Sequence, residues 1–397
     1  TSLPKQGNPG GTVRIENMKI NYGLAGLGTI AKTHLLGLRN LPLLNVPVDF
    51  SINLKALYST HPMENMETAK SCGFAEIVDT MEKLVSLEDL DVVDICTPNF
   101  LHCQQTLLAA QAGKHIYCEK PLANNSEQTK LMVEEVQKSN VVNQVAFVMR
   151  FNPAVASAHA AIKQGIIGRP YAFRGELLHS SYLMPEKAMT WRLQKNKSGG
   201  GALADLGIHL IDLVRFLLGE IHSVSCLTDT IVKQRKNSEG SLQQVDVDDW
   251  ASLSLQLQGH VKGTIEASRL AVGNDANRMW IYGDKGSLFI DLDHNPYSPT
   301  FYDEKGQRIY PDPKLLANDP FYKRIVKLYP NSKLSQGFMV DTHLTSLLWF
   351  LSSVAEGKIL DHTPTFEEGH RAQLVLEAAY QSSSQNGSFV AVNPNQP

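Results

Sequence analysis

The sequence predicts an α/β protein of the doubly wound type, followed by an α+β unit with a large, open and predominantly antiparallel sheet. Three observations predict it. Strand and helix patterns alternate from Met18 to Phe151. A glycine turn, GLGTIA, lies between the first strand and the first helix. After Pro153 the chain changes to long runs of strand character. Short apolar strands separated by helices make βαβ units, whose parallel sheet is covered on both faces. Strands joined by tight turns pair antiparallel instead.

The elements follow in order. The first 17 residues are rich in Gly, Pro and polar residues and read as a flexible extension or an expression remnant, with Met18 as the natural start. KINYGLAG is the first strand and THLLGLRNL lies in the first helix. LKALYS is a strand and ENMETAKSCG a helix closed by Gly73. DVVDICTP is a buried strand, LHCQQTLLAAQAG a helix, and KHIYCEKP a strand cut off by Pro121. SEQTKLMVEEVQKSN is an amphipathic helix with Ser126 at its N-cap, and VNQVAFVMRF a further strand. PAVASAHAAIKQG opens the second unit as a helix. Strand-like runs follow in RPYAFRGELLHSSYL, HSVSCLTDTIV, WASLSLQLQ, HVKGTIEASRL, NRMWIYG and GSLFIDL. Residues 295–336 read as surface loops and short turns, and two helices over 338–356 and 366–384 close the chain. The domain boundaries expected are 18–151 and 152–397, with the closing helices free to pack back on the first domain.

Composition narrows the function. A chain of 397 residues has room for two or three domains, and 43% apolar with 19% charged residues excludes wholesale disorder. A net charge of −3 offers no attraction to nucleic acid. No apolar run reaches the ~18 residues needed to span a bilayer, and the start shows no charged segment followed by an apolar one. Cys72, Cys96, Cys103, Cys118 and Cys226 form no CxxC pair and read as reduced thiols. Neither a nucleic-acid nor a membrane partner is expected, and the expected location is cytoplasmic.

The glycine turn carries the first chemistry. Gly26-Leu-Gly28-Thr29-Ile30-Ala31 is a GxGxxA turn between strand and helix. The first glycine allows the turn, the second lets the backbone approach a pyrophosphate, and the helix start favours negative charge. An acidic residue ending the second strand would hold an NAD ribose. Here KALYSTHP places Ser59 at that point, followed by Thr60 and His61, with neither a carboxylate nor an arginine. The expected cofactor is therefore NAD or NADP, with a slight lean to NADP.

CTPNFLH and CEKP end the next two strands, where ligands of a doubly wound sheet bind. Lys120 at such a strand end, before Pro121, reads as a functional group. Further on, SGGGALADLGIHLIDLVRFLLGE is an apolar helix carrying Asp205 and His209 four residues apart, on one face. Asp212 reads as structural. No metal is expected: a tetrahedral site needs further ligands that no local His, Cys or Asp cluster supplies.

GLGTIA, CTPNFLH, CEKPLA and GGGALADLGIHLIDLVRFLLGE resemble, in order and spacing, the glucose–fructose oxidoreductase / inositol dehydrogenase / rhizopine-catabolism (Gfo/Idh/MocA) family. The resemblance runs from about Met18 to Ser384. It implies a Rossmann domain, a domain with a large open sheet, and NAD(P)-dependent oxidation or reduction of sugars, cyclitols and related polyols. It also implies homodimers or homotetramers built through that sheet. By motif, Lys120, Asp205 and His209 would be catalytic. Gly26, Gly28, Thr29, Ile30, Ser59, Thr60, Glu119 and Lys120 would contact the cofactor. Thr97, Pro98, Asn99 and His102 resemble the loop at the cofactor's edge, and Trp191-Arg192 a loop near it. Arg150 and Tyr182, with Trp191, are further candidates for substrate contact.

The chemistry agrees with this division. Hydride leaves a carbinol carbon, so the hydroxyl proton needs an acceptor, and histidine titrates near neutrality. Lys120 would polarise the oxygen as charge develops. Two alternatives keep the fold: a tightly held NAD(H) used for transient oxidation in elimination or glycoside cleavage, and a non-catalytic dinucleotide sensor.

Overall fold

The computed structural model describes residues 18–184 and 186–392. The N-terminal segment read as an extension lies outside them. Six strands, β1 (Met18–Ala25), β2 (Phe50–Tyr58), β3 (Glu76–Val78), β4 (Val92–Ile95), β5 (His115–Cys118) and β6 (Asn143–Val145), pair in the order β3-β2-β1-β4-β5-β6. Every pairing in this sheet is parallel. The winding reverses between β1 and β4, and a crevice opens there beyond the strand ends. The register sets what lines it. Ala25 pairs with Tyr58 on one side and Ile95 on the other, and Ile95 pairs with Cys118. The GLG turn, the Ser59 segment, the CTPN turn and the CEKP turn therefore leave the sheet side by side.

The second sheet has nine strands in the order β16-β15-β14-β13-β7-β12-β11-β8-β17. Its centre comprises β7 (Pro170–Leu178), β8 (Ile221–Asp229), β11 (Trp250–Leu257), β12 (Lys262–Ser268) and β13 (Ala276–Gly283). Around them lie β14 (Gly286–Asp291), β15 (Thr300–Asp303), β16 (Arg308–Ile309) and β17 (Val390–Ala391). A separate hairpin pairs β9 (Gln234–Lys236) with β10 (Leu242–Gln244). All pairings in the large sheet are antiparallel except β7 with β12. Burial alternates along the strands, as in Trp250–Leu257, so one face meets the core and the other is open. On that open face Trp280 stacks on Phe289 at 4.4 Å, with Tyr282 and Tyr302 beside it.

Two long helices close the chain, Phe338–Ala355 and Phe366–Ser384. The first packs on helix Thr29–Asn40 of the parallel sheet; the second lies between helix Ser126–Lys138 and β8. Three readings need correction. The N-cap of helix Ser126–Lys138 is Asn125, whose side chain accepts from Gln128 N, and not Ser126. VNQVAFVMRF is a strand only over Asn143–Val145, and Val148–Phe151 is a 3₁₀ turn. Residues 295–336 are not only loops: they hold β15, β16 and two helices, Pro313–Ala317 and Pro320–Leu328. The second helix had its signals in the sequence. Asp319 caps it with proline in the first turn, and Phe321, Ile325 and Leu328 bury one face.

Candidate active site

A cleft of about 680 Å³ lies over the carboxyl ends of β1, β2, β4 and β5. Gly26, Gly28, Thr29, Ile30, Ser59, Thr60, Thr97, Pro98, Asn99, Glu119, Lys120, Trp191, Arg192 and Asp205 all line it. Gly26 has φ +93°, and a Cβ there would come within 3.2 Å of the Cys96 carbonyl. A Cβ at Gly28 would meet only open space. The following helix has neither a side-chain cap nor an acidic residue in its first turn. Its free N–H groups and open approach fit a pyrophosphate. Ser59 Oγ accepts from the His61 amide at 3.1 Å and from Asn65 Nδ2 at 2.8 Å, which leaves its own proton to donate. This end of the cleft is formed by Tyr58, Ser59, Thr60, His61 and Asn65, none of them a lysine or arginine; the cations of the cleft are Lys120, Arg192 and Arg269.

The two sheets meet chemically at Lys120 and Asp205. Lys120 Nζ donates to Asp205 Oδ1 at 2.7 Å and to the Asp205 carbonyl at 2.9 Å. Arg269 Nη2 donates to the other carboxylate oxygen, Oδ2, at 3.0 Å. Burial alone would raise the Asp205 carboxyl, but Lys120 and Arg269 outweigh it and hold it well below the usual carboxylate range. Both oxygens are thus engaged by cations, which keep the Asp205 carboxylate ionised.

A glycine run before a helix suggests room for a substrate and a flexible entry. The structure corrects that. A Cβ on Gly200 would lie 2.1 Å from the Tyr380 hydroxyl, and one on Gly201 1.9 Å from the Asp248 carbonyl. Gly200 makes room for the Tyr380 ring, and Gly201 lets its backbone touch that of Asp248. Asp248 then caps the segment: Oδ1 accepts from Gly201 N at 2.9 Å and Oδ2 from Leu203 N at 2.7 Å. Its carbonyl accepts from Ala202 N at 2.8 Å. Tyr380 donates its hydroxyl to Asp248 Oδ1 at 2.7 Å. Beyond this point Leu203–Gly207 form a π-helical turn before the α-helix Ile208–Leu218. Such turns widen a helix and re-aim its side chains.

His209, four residues on from Asp205, is not among the lining residues of the cleft; it is 8% exposed, and its Nδ1 has no hydrogen-bond partner among the described residues. Burial, then the Lys120 charge, push its pKa down to about 3. Three other candidates stand away from the cleft. Arg150 was a candidate for substrate contact. It is instead buried in an ion pair with Asp212 (Nε–Oδ2 2.9 Å), reinforced by Glu368 at 3.1 Å. A guanidinium so enclosed has no free edge for a sugar, and Asp212 is structural as expected. His102 does not reach the cofactor edge either. Its Nδ1 faces the Pro121 carbonyl at 3.0 Å and its Nε2 the Thr97 carbonyl at 2.9 Å, so it ties the CTPN turn to the CEKP turn. Tyr182 is not among the lining residues; its ring lies 4.6 Å from the Arg269 guanidinium carbon. Asn99 bridges the two units, donating from Nδ2 to the Ser198 carbonyl at 3.0 Å. Trp191 sits edge-on to Phe100, with Arg192 over its ring.

Two family descriptions match this chain: "Oxidoreductase family, NAD-binding Rossmann fold" over residues 20–147, and "GFO/IDH/MocA C-terminal domain" over 155–289. The chain belongs to the Gfo/Idh/MocA oxidoreductase family. Among its relatives, levoglucosan dehydrogenase of Pseudarthrobacter phenanthrenivorans is 32% identical, over 92% of this chain and 96% of that one. Glucose-6-phosphate 3-dehydrogenase of Bacillus subtilis is 28% identical, over 94% and 99%. A solved levoglucosan dehydrogenase in complex with NADH and L-sorbose superposes with a TM-score of 0.85 at 32% identity, covering 94% of this chain and 99% of that one. None of the helices among the described residues is long and apolar enough to cross a membrane.

The Gfo/Idh/MocA motifs account for the cleft but not for the groups behind it. His34, fully buried, sits 2.7 Å through Nδ1 from Asp94 Oδ2 and 3.2 Å through Nε2 from Glu119 Oε1. The second contact is not aligned as a hydrogen bond and acts through charge. Burial alone would push this imidazole down, but Cys96 and Asp94 beside it raise it well above its ordinary value. Glu119 is the mirror case: burial raises it, the His34 pair wins, and it settles at about 2. Glu119 Oε2 accepts the Lys120 amide at 3.2 Å. Asp94 inside the apolar strand VVDI was the available signal, because a carboxylate buried there demands a partner. Arg269, at the inner end of EASRL, and Asp248, in the acidic pair before WASLSLQL, carried similar signals.

Proposed function

We propose that this protein oxidises a ring hydroxyl of an unphosphorylated sugar or cyclitol, with NAD as the hydride acceptor. The observation that carries the reading is the Lys120–Asp205 contact. It brings an ammonium from the end of one sheet and a carboxylate from the other unit to a single point of the cleft. Levoglucosan dehydrogenase, alike in fold over nearly the whole chain and solved with NADH and sugars, supports the substrate class.

Bound at the glycine turn, NAD supplies the hydride acceptor. This chain supplies position and charge. Lys120 donates to the carbinol oxygen and offsets the negative charge that grows on it as hydride leaves. Asp205 holds the lysine in place. His209, neutral because burial and Lys120 disfavour its charge, offers a lone pair to the hydroxyl proton.

The sequence-based lean to NADP is not retained. A missing ribose carboxylate does not make a phosphate site. The ribose end carries Ser59, Thr60, His61 and Asn65, and none of these four is a lysine or an arginine. The family description and the NADH complexes of relatives favour NAD as well. The open sheet face, with its stacked Trp280, Phe289 and Tyr302, is the proposed contact with a second copy. Light scattering after gel filtration checks this.

The test is a panel of levoglucosan, hexoses, inositols and their phosphates, each with NAD and with NADP. NAD reduction with a neutral cyclic polyol supports the reading. Reduction restricted to NADP, or to phosphorylated sugars, overturns it. Product formed without added nucleotide points to transient oxidation by a retained cofactor.

A further inference from the structure

Arg269 went unnoticed in the sequence, yet it lies between the catalytic groups and the loop over residues 179–189. It follows β12 directly and is 1% exposed. Its Nη2 bonds Asp205, while Nε and Nη1 have no hydrogen-bond partner among the described residues. The guanidinium carbon stands 4.6 Å from the centroid of the Tyr182 ring. A buried guanidinium short of acceptors is stabilised by a carboxylate on one edge and an aromatic face beside it. The backbone adds a second tie, because Tyr182 N donates to the Arg269 carbonyl at 3.2 Å.

Tyr182 is in turn the fixed point of its loop. Its carbonyl accepts from the buried Arg235, which also donates to the Met184 carbonyl. Lys187 Nζ lies 3.4 Å from the same ring centroid. Tyr182, Leu193, Val245 and Val247 form a small apolar cluster of their own, while Leu183 and Met184 project outward. The loop therefore rests on Arg269 through Tyr182, Arg269 rests on Asp205, and Asp205 holds Lys120.

We propose that Arg269 is a positioning residue that couples the seat of the 179–189 loop to the orientation of the Asp205 carboxylate. Tyr182 serves it through the face of its ring, not a sugar through its hydroxyl. The proposal rests on the hydride-transfer reading. With Oδ1 held by Lys120 and Oδ2 by Arg269, the carboxylate plane is fixed. Without Arg269, Oδ2 is free, the carboxylate turns and the ammonium moves with it. A lysine at this position restores the charge but not the planar fork.

The test uses the full chain with Arg269→Met, Arg269→Lys, Tyr182→Ala, Tyr182→Phe and the Arg269→Met/Tyr182→Ala double variant. NADH affinity by fluorescence titration, kcat and KM are read for each. We expect NADH affinity within about threefold of the parent in every variant: Arg269 lines the cleft beside Asp205, but the glycine turn and the Ser59 segment are left untouched. Arg269→Met lowers kcat by about 100-fold, the scale of a lost electrostatic contact, and Arg269→Lys recovers about tenfold of it. Tyr182→Ala lowers kcat about tenfold, Tyr182→Phe much less, and the double variant falls little below Arg269→Met alone, because coupled residues are not additive.

An Arg269→Met enzyme with the parent kcat overturns the proposal. So does Tyr182→Phe raising the sugar KM as far as Tyr182→Ala with kcat kept, or multiplicative losses in the double variant. If Arg269→Met fails to bind NADH, Arg269→Lys and Tyr182→Ala decide by the same criteria. Hydrogen exchange separates this inference from the reading beneath it, because it needs no turnover. In Arg269→Met and Tyr182→Ala alike, exchange over 179–189 and over 201–209 rises together. A rise confined to the substituted segment overturns the coupling, even if no sugar on the panel is a substrate.

Discussion

Lys120 bonds Asp205 twice, at the carboxylate Oδ1 (2.7 Å) and at the main-chain carbonyl (2.9 Å). The lysine is therefore anchored to the helical turn itself, and not to one rotamer of one side chain. Lys120→Ala removes both contacts and the charge that the proposed mechanism sets against the carbinol oxygen. Its kcat should fall by about 100- to 1,000-fold, with NADH affinity close to that of the parent. Steady-state kinetics and a fluorescence titration check both parts. A variant that turns over normally removes Lys120 from the chemistry.

His209 carries a prediction about pH. Its pKa is depressed to about 3, so the neutral, proton-accepting form persists until the pH falls toward that value. The kcat/KM profile should therefore show no acid limb near the ordinary histidine value arising from this residue. His209→Asn should slow turnover by about 100-fold without changing the profile's shape between neutral and mildly acid pH. A limb near pH 6.5 that disappears in the variant would show that bound cofactor restores an ordinary pKa.

Ser59 tests the cofactor. Asn65 Nδ2 and the His61 amide already point at its oxygen and would receive a carboxylate without rearrangement. Ser59→Asp should raise the ratio of NAD to NADP efficiency by about tenfold or more, because like charges brought together cost several kcal/mol. An unchanged ratio would place the ribose elsewhere.

His34 bears on stability. It lies between two buried carboxylates, Asp94 and Glu119. His34→Ala leaves both without their shared cation and should cost about 3–5 kcal/mol, the usual penalty for breaking a buried ion pair from one side. Urea unfolding measures it. A loss under about 1 kcal/mol would mean that a proton already neutralises one carboxylate.

The cleft was legible because each of its motifs is local and ends a strand. GLGTIA, CTPN and CEKP announce themselves within a few residues, and parallel pairing brings them together without further information. The groups behind the cleft were not. Arg150 could be read toward a sugar or toward an ion pair, and Asp212, 62 residues away, decides it. Arg269 and Asp248 reach the Asp205 helix from strands of the second sheet, and nothing near them in the chain names that partner. The π-helical turn at Leu203–Gly207 was also hidden, because Asp205 and His209 have ordinary α-helical spacing. Helix Pro320–Leu328 is a different failure: its cap and apolar stripe were present, but a polar composition masked them.

The contact of Gly200 and Gly201 with Tyr380 and Asp248 divides the molecule for anyone wishing to change its sugar. Even a methyl group at 201 would collide with the main chain of a neighbouring strand's approach and lever Asp205 and His209 away together. That segment tolerates no redesign. Leu183 and Met184 face solvent, whereas the Tyr182 ring beside them lies against Arg269, so only the former two are free of the Asp205 side of the cleft. New substrates should therefore be sought with 199–201 held constant, at cleft residues outside that segment such as Phe100 and Trp191.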